Sequence, residues 1–171
     1  MKKVLLIVAH IGFQSVEYGA TKKALEDAGI QVTTGSNVPG LATSKTGEKI
    51  MTDVVLDEVK VREYDGIFFI GGPGALDNLN VEESYGIIHE AIALGKLWGA
   101  ICIAPRILAE AGVLEGKKVT GWNGDSDLPR ILEKAGAIYV ADHVVVDDKL
   151  ITADGPDAAE EFGKAILSKL A

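Results

Sequence analysis

Leu97-Trp98-Gly99-Ala100-Ile101-Cys102-Ile103-Ala104-Pro105-Arg106-Ile107-Leu108-Ala109 begins as one kind of structure and ends as another. Its opening is a short apolar run, the pattern of a strand buried on both faces. Its close is a helix, with Pro105 in the first turn, where a missing N–H does no harm. Cys102, the only cysteine of the chain, sits at the junction. A thiol on a strand-to-helix turn faces backbone N–H groups that favour its thiolate, the nucleophilic form. A free cysteine is also at home as core filling, since it is among the most buried residue types. Position alone leaves both readings open.

The same alternation runs outward in both directions. Lys3 to Ala9 reads as a first strand, His10 to Gln14 as the loop at its carboxyl end, and Ser15 as the N-cap of a helix closed by Gly29. Ile30 to Thr34 is the second strand. Asn37 to Val55, with turn pairs Pro39-Gly40 and Thr46-Gly47, reads as a small inserted hairpin. Asp57 to Tyr64 reads as a short helix, and Gly66 to Ile70 as a strand running into Gly71-Gly72-Pro73-Gly74. A helix marked by Ile87, Ile88, Ala91, Ile92 and Leu94 precedes the Cys102 strand. Beyond it come a strand at Lys118 to Gly121, a helix at Leu128 to Ala135, and short strands at Ala137 to Val140, Val144 to Val146 and Leu150 to Thr152. A final helix carries Ala158, Phe162, Ala165, Ile166 and Leu170 on one stripe.

Strand and helix in alternation predict an α/β domain spanning residues 1–171: a mostly parallel sheet with helices on both faces, a flavodoxin-like three-layer sandwich with a β-hairpin insertion. In the flavodoxin-like order 2-1-3-4-5, strands one, three and four are neighbours, and ligands bind outside their carboxyl ends. His10 to Gln14, Gly71 to Gly74, and Cys102 with Ile103 are therefore expected to meet.

Bulk properties narrow the function. The chain has 171 residues, 47% hydrophobic and 25% charged, with a net charge of −8. That length suits one domain with a full core. The acidic balance argues against nucleic-acid and anionic-membrane partners. No apolar run is long enough for a membrane span. Met1-Lys2-Lys3 followed by Val4 to Ala9 reads as a core strand rather than a signal peptide, so the cytoplasm is expected. One cysteine excludes an internal disulfide, and no Cys/His cluster has metal-ligand spacing, so no metal is expected.

Around the cysteine, Gly71-Gly72 lets backbone N–H groups approach a ligand, and Gly72 with Ile103 would make an oxyanion hole; the plainer reading is a tight turn. Val8-Ala9-His10-Ile11-Gly12 lacks the glycines of a dinucleotide fingerprint. Glu17, in the first turn of helix one, either favours the helix N-terminus or serves Cys102 as acid/base partner. His10 at the tip of strand one either reaches substrate or is a solvated loop residue. His89 reads as a surface residue and His143 as structural.

Ala100-Ile101-Cys102-Ile103-Ala104-Pro105, followed by Leu108 and Ala111 to Leu114, resembles the nucleophile elbow of the DJ-1/PfpI (ThiJ) superfamily. Val16-Glu17 after the first strand, Tyr64-Asp65-Gly66 leading to Ile70-Gly71-Gly72, and Thr152-Ala153-Asp154-Gly155-Pro156 match in order, so the resemblance covers essentially the whole chain. It implies a flavodoxin-like fold, a homodimer or higher oligomer, and a strained, acidic, oxidisable Cys102 paired with a protonated Glu17, with Gly72 and Ile103 as backbone donors. There are four departures. Ile103 stands where PfpI-type peptidases carry His, Gln14 where many carry another acid, Trp122 where relatives often place His or Tyr, and Asp154 where DJ-1-like members carry Arg. The implied activity is a glyoxalase III or deglycase reaction on a small carbonyl such as methylglyoxal, needing no cofactor. His10, Gly71, Trp122 and Asp154 are expected around the pocket. The alternatives are a redox-responsive stress protein or chaperone and a PfpI-like cysteine peptidase or amidohydrolase.

Overall fold

Along Lys3–Val8 (β1) consecutive side chains point to opposite sides of the sheet, and the two faces bury different sets. Leu5 and Ile7 join a cluster of 23 buried residues on one face. Val4, Leu6 and Val8 join a cluster of 18 on the other. An unbroken apolar strand is thus the signature of a layer between two cores. The computed structural model describes residues 1–171.

Ile11–Phe13 (β2) leads into Ser15–Asp27 (α1) and Gln31–Ser36 (β3). Leu41–Ser44 (β4), Lys49–Met51 (β5) and Val54–Val55 (β6) follow, then Gly66–Phe69 (β7), Ala75–Leu79 (α2), Glu82–Ala93 (α3), Leu97–Ile101 (β8) and Pro105–Glu110 (α4). The last third holds Lys118–Val119 (β9), Leu128–Lys134 (α5), Ile138–Tyr139 (β10), Val144–Asp147 (β11), Leu150–Ala153 (β12) and Ala159–Leu170 (α6). The central sheet has seven strands in the order β11-β12-β8-β7-β1-β3-β6. Only the β11–β12 pair is antiparallel. This is the expected α/β sandwich, with β3, β1, β7 and β8 as the 2-1-3-4 run.

Four local expectations are corrected. The position beside β8 belongs to β12, while the strand at Lys118 pairs with β10 in a separate two-stranded sheet. A strand buried on both faces must be mostly apolar with any polar group paired; Leu150–Ala153 is wholly buried, its one hydroxyl, Thr152, accepting the Thr120 N–H, whereas Lys118 is exposed. His10 to Gln14 is not all loop, because β2 pairs with β4 beside the expected β4–β5 hairpin, giving a small three-stranded sheet. The N-cap of α1 is Gln14, whose side chain accepts the Glu17 N–H at 2.9 Å, rather than Ser15. Finally, Asp57 to Tyr64 forms two 3-10 turns, Leu56–Glu58 and Val61–Glu63. Their buried residues, Leu56 and Val61, are five apart and do not share a helical face.

Candidate active site

Cys102 lies just beyond β8 with φ of 64°, a left-handed conformation that a non-glycine residue adopts at a cost of about 1–2 kcal/mol. The surroundings enforce it. Its N–H donates to the Ala153 carbonyl at 2.9 Å, and its carbonyl accepts the Trp122 N–H at 2.6 Å. The sharp turn holds the thiol, neither fully buried nor exposed, at the carboxyl end of the sheet.

Glu17 comes to the same point from α1 and is completely buried. Its Oε1 accepts the Gly71 N–H at 2.9 Å. Gly71 is wedged between the two: a Cβ there would stand 2.6 Å from the Cys102 Cβ and 2.7 Å from Glu17 Oε1. Next to it, Gly72 has φ of +120°, and a side chain would collide with the Gly12 carbonyl. The Gly71 carbonyl accepts the Gln14 N–H at 2.9 Å, and the Gly12 carbonyl accepts the Gly74 N–H at 3.0 Å. The loops after β1 and β7 therefore interlock through backbone, which fixes Glu17 against Cys102.

The pair titrates in consequence. Burial pushes Glu17 up to about 7, outweighing the opposing effects of its hydrogen bonding to Cys102 and Gly71 and the Lys45 charge. Burial is also the largest influence on Cys102, and together with the Glu17 charge and hydrogen bond it pushes the thiol up to about 12. The backbone N–H groups of Ile103 and Gly72, the expected oxyanion donors, pull the other way. The thiol is thus not acidic, and it keeps its proton through the range in which Glu17 loses its own. Glu17 Oε2 is buried and makes no hydrogen bond of regular geometry. With Oε1 already accepting from Gly71, Oε2 is the oxygen suited to carry the proton.

Above the sulfur lies a cavity of about 520 Å³ lined by Gln14, Lys45, Gly72, Pro73, Cys102, Ile103, Trp122 and Pro156. Gly71 sits beneath the site as part of its floor. His10 does not line the cavity; its Nδ1 lies 3.0 Å from Asn37 Nδ2, which also donates to Asn78 Oδ1. Asp154 is likewise elsewhere, its carboxylate 2.9 Å from His143 Nδ1, so it does not face the thiol. His89 Nε2 is 2.7 Å from the Ala111 carbonyl. No histidine lines the cavity. No group of three or more His, Cys, Asp or Glu residues is arranged to hold a metal ion. A larger recess of about 850 Å³, at the Lys3–Asp53–Tyr64 edge, contains none of the elbow residues.

Two contributors escaped the sequence reading. Lys45, the one charged residue lining the cavity, follows β4 in the inserted hairpin; the Ser44 and Thr46 hydroxyls beside it both donate to Glu48. Arg106, one turn beyond the elbow, is buried and forks onto Asp125 at 2.9 and 2.8 Å. A buried arginine in a helix whose other buried residues are apolar was the available signal.

A flavodoxin-like sandwich carrying a cysteine on a strained strand-to-helix elbow defines a class of fold and site. The model of the DJ-1/PfpI family matches residues 2–169, and the chain belongs to that family. It is 34% identical over 169 residues to the uncharacterized protein MJ0967 of Methanocaldococcus jannaschii, covering 98% of this chain and 82% of that one. It is 33% identical over 173 residues to the uncharacterized protein SAV1875 of Staphylococcus aureus, covering 99% and 98%. Among solved structures, a ThiJ/PfpI domain protein from Brachyspira murdochii superposes with a TM-score of 0.92 at 28% identity, over 98% and 95% of the two chains. Drosophila melanogaster DJ-1beta does so at 0.90 and 31%, over 99% and 90%. No helix is long and apolar enough to cross a membrane.

Proposed function

We propose that the protein is an enzyme of small reactive carbonyls, converting a 2-oxoaldehyde such as methylglyoxal to a 2-hydroxy acid in the manner of a glyoxalase III or deglycase, without a cofactor. The observation that carries this reading is the strained Cys102 packed, across a single glycine, against a buried carboxyl that titrates near neutrality. Sulfur adds to the aldehyde carbon, and the carbonyl electron pair moves to oxygen, where the Gly72 and Ile103 N–H groups stabilise it. Glu17 removes the hydrogen of that carbon as a proton and returns one to the neighbouring ketone carbon, while the proton the thiol gave up on addition ends on the former ketone oxygen as the hydroxyl. The former aldehyde carbon is oxidised by two electrons and the ketone carbon reduced by two, leaving a thioester of the 2-hydroxy acid. Water then attacks the thioester, the C–S bond breaks, and the thiol is restored. Assembly as a cytoplasmic homo-oligomer belongs to the same proposal.

A carboxyl at about 7 is suited to both proton steps, since a group near working pH is readily found in either form. The peptidase reading lacks support from the cavity, which no histidine lines to protonate a leaving amine. A redox role has one observation in its favour: the partnerless Glu17 Oε2 suits a protonated carboxyl donating to an oxidised sulfur. The deciding measurement is lactate formed from methylglyoxal by the native protein and by Cys102→Ser and Glu17→Ala. We expect turnover in the native protein and its loss in both variants. Equal activity in all three overturns the mechanism. No turnover, together with a stable two-oxygen mass increase on Cys102 after dilute peroxide, transfers the assignment to the redox role.

A further inference from the structure

Trp122 is about one third exposed, at 37%, in the wall of the Cys102 cavity, yet its ring is held. Its backbone N–H donates to the Cys102 carbonyl at 2.6 Å, which ties the main chain at Trp122 to the elbow itself. The Arg106 guanidinium lies 5.5 Å from the centre of the indole, and Nη2 donates to the Trp122 carbonyl at 3.3 Å. Gly124 closes against the ring: a Cβ there would stand 2.6 Å from Cε2 and 2.8 Å from Nε1. Asp125 fixes the guanidinium by its two-pronged contact. Arg106 Nε, also buried, has no hydrogen-bond partner. An arginine kept in a buried position with one N–H unsatisfied is not there to complete its own hydrogen bonding. What it does supply is a flat cation packed on the indole, for which lysine is a poor substitute.

We propose that Trp122 is the specificity wall of the Cys102 cavity, that Arg106 is its positioning residue, and that the wall selects small electrophiles bearing a planar apolar group, such as an aryl ring, over those bearing only a methyl group. The substrate class so named rests on Cys102 acting as the nucleophile of a carbonyl enzyme. An aromatic side chain held in advance gives a flat ligand a partner without the entropy of ordering it on binding. Pro73 and Pro156 add rigid apolar surface to the same cavity.

Cys102 is the only cysteine, so thiol reagents report on this cavity alone. The experiment compares phenacyl bromide with bromoacetone; in each the sulfur displaces bromide from the CH₂ carbon, and the thiol proton goes to solvent. Second-order rates would be read by intact mass for the native protein, Trp122→Ala, Trp122→Phe, Arg106→Lys and Asp125→Asn. Phenylglyoxal and methylglyoxal would be compared as substrates in parallel. The native aryl-to-methyl rate ratio is expected to fall about three- to tenfold in Trp122→Ala and to be largely kept in Trp122→Phe. Arg106→Lys and Asp125→Asn are expected to lower it part of the way, an effect on selectivity that a merely structural role would not produce. Asp125 is partly exposed, so its variant tests the clamp without emptying the core. An unchanged ratio in Trp122→Ala overturns the wall, and an unchanged ratio in both clamp variants overturns the role of Arg106. A changed alkylation ratio without turnover of either aldehyde keeps the wall and removes the carbonyl reading. Turnover of both aldehydes with native selectivity in Trp122→Ala does the reverse.

Discussion

Glu17 is a carboxyl whose proton is held more tightly in the folded chain than in the unfolded one, raised from 4.5 to about 7 by burial. The sign follows from linkage: between those values the native state keeps a proton that the unfolded state has lost, so stability falls as pH rises. At about 1.4 kcal/mol per unit, the loss across this window is on the order of 3 kcal/mol. Glu17→Gln should remove it, flattening the melting temperature between pH 4.5 and pH 7 relative to the native protein. The Cys102 thiol, raised from 9.0 to about 12, adds a loss of the same sense at higher pH. A variant whose melting curve follows the native pH dependence through the lower window would show that Glu17 is not the group responsible. Much at this scale was legible. Cys102, Glu17, Gly71 and Gly72 were marked by chain position and resemblance. His10 and Asp154 were misplaced because their partners, Asn37 and His143, lie 27 and 11 residues away, where no local pattern records them.

Among the elements, α1 matters most to the site, because its first turn carries Glu17. That turn starts from a buried Gln14, whose amide oxygen satisfies the Glu17 N–H. Helix starts leave such donors unpaired unless a side chain supplies the acceptor. Gln14→Ala should destabilise the fold by about 1 kcal/mol, read as a lower denaturant midpoint at unchanged slope. It should also slow any Cys102-dependent turnover, since the residue that sets the Glu17 backbone is gone. Loss of stability without loss of rate would confine Gln14 to capping. The hairpin was visible from its turn pairs, but not that it lends Lys45 to the cavity. The 3-10 turns and the short α2 were beyond pattern reading because each is too brief to display a period.

Across the whole molecule, the two cores on either face of one sheet carry the stability, and α6 closes one of them. Phe162 meets Phe68 edge to face, with ring centres 5.6 Å apart at 88°. Phe162→Ala should cost about 3–5 kcal/mol, measured by chemical denaturation, while leaving Cys102 alkylation rates near native in the folded fraction. A loss below about 1 kcal/mol would mean that the layer repacks around the gap. The sandwich could be read in advance because consecutive apolar strands are a local signal. The exchange of β9 for β12 could not, since which strand fills the place beside β8 depends on competition between segments far apart. The Arg106–Asp125 clamp was hidden for the same reason: its members are 19 residues apart, and only the fold makes them neighbours.

The close fit around Gly71 has a consequence for how such a site can diversify. Its floor consists of backbone and of two side chains with a single glycine between them, so even a methyl group there would displace both reactive groups. Alteration by substitution is therefore confined to the rim, where Lys45, Ile103 and Trp122 stand. On the proposed carbonyl reading, the reacting pair and the residues that would choose its substrate are separate sets, so a rim variant should alter selectivity while leaving the Glu17 pH dependence of stability in place.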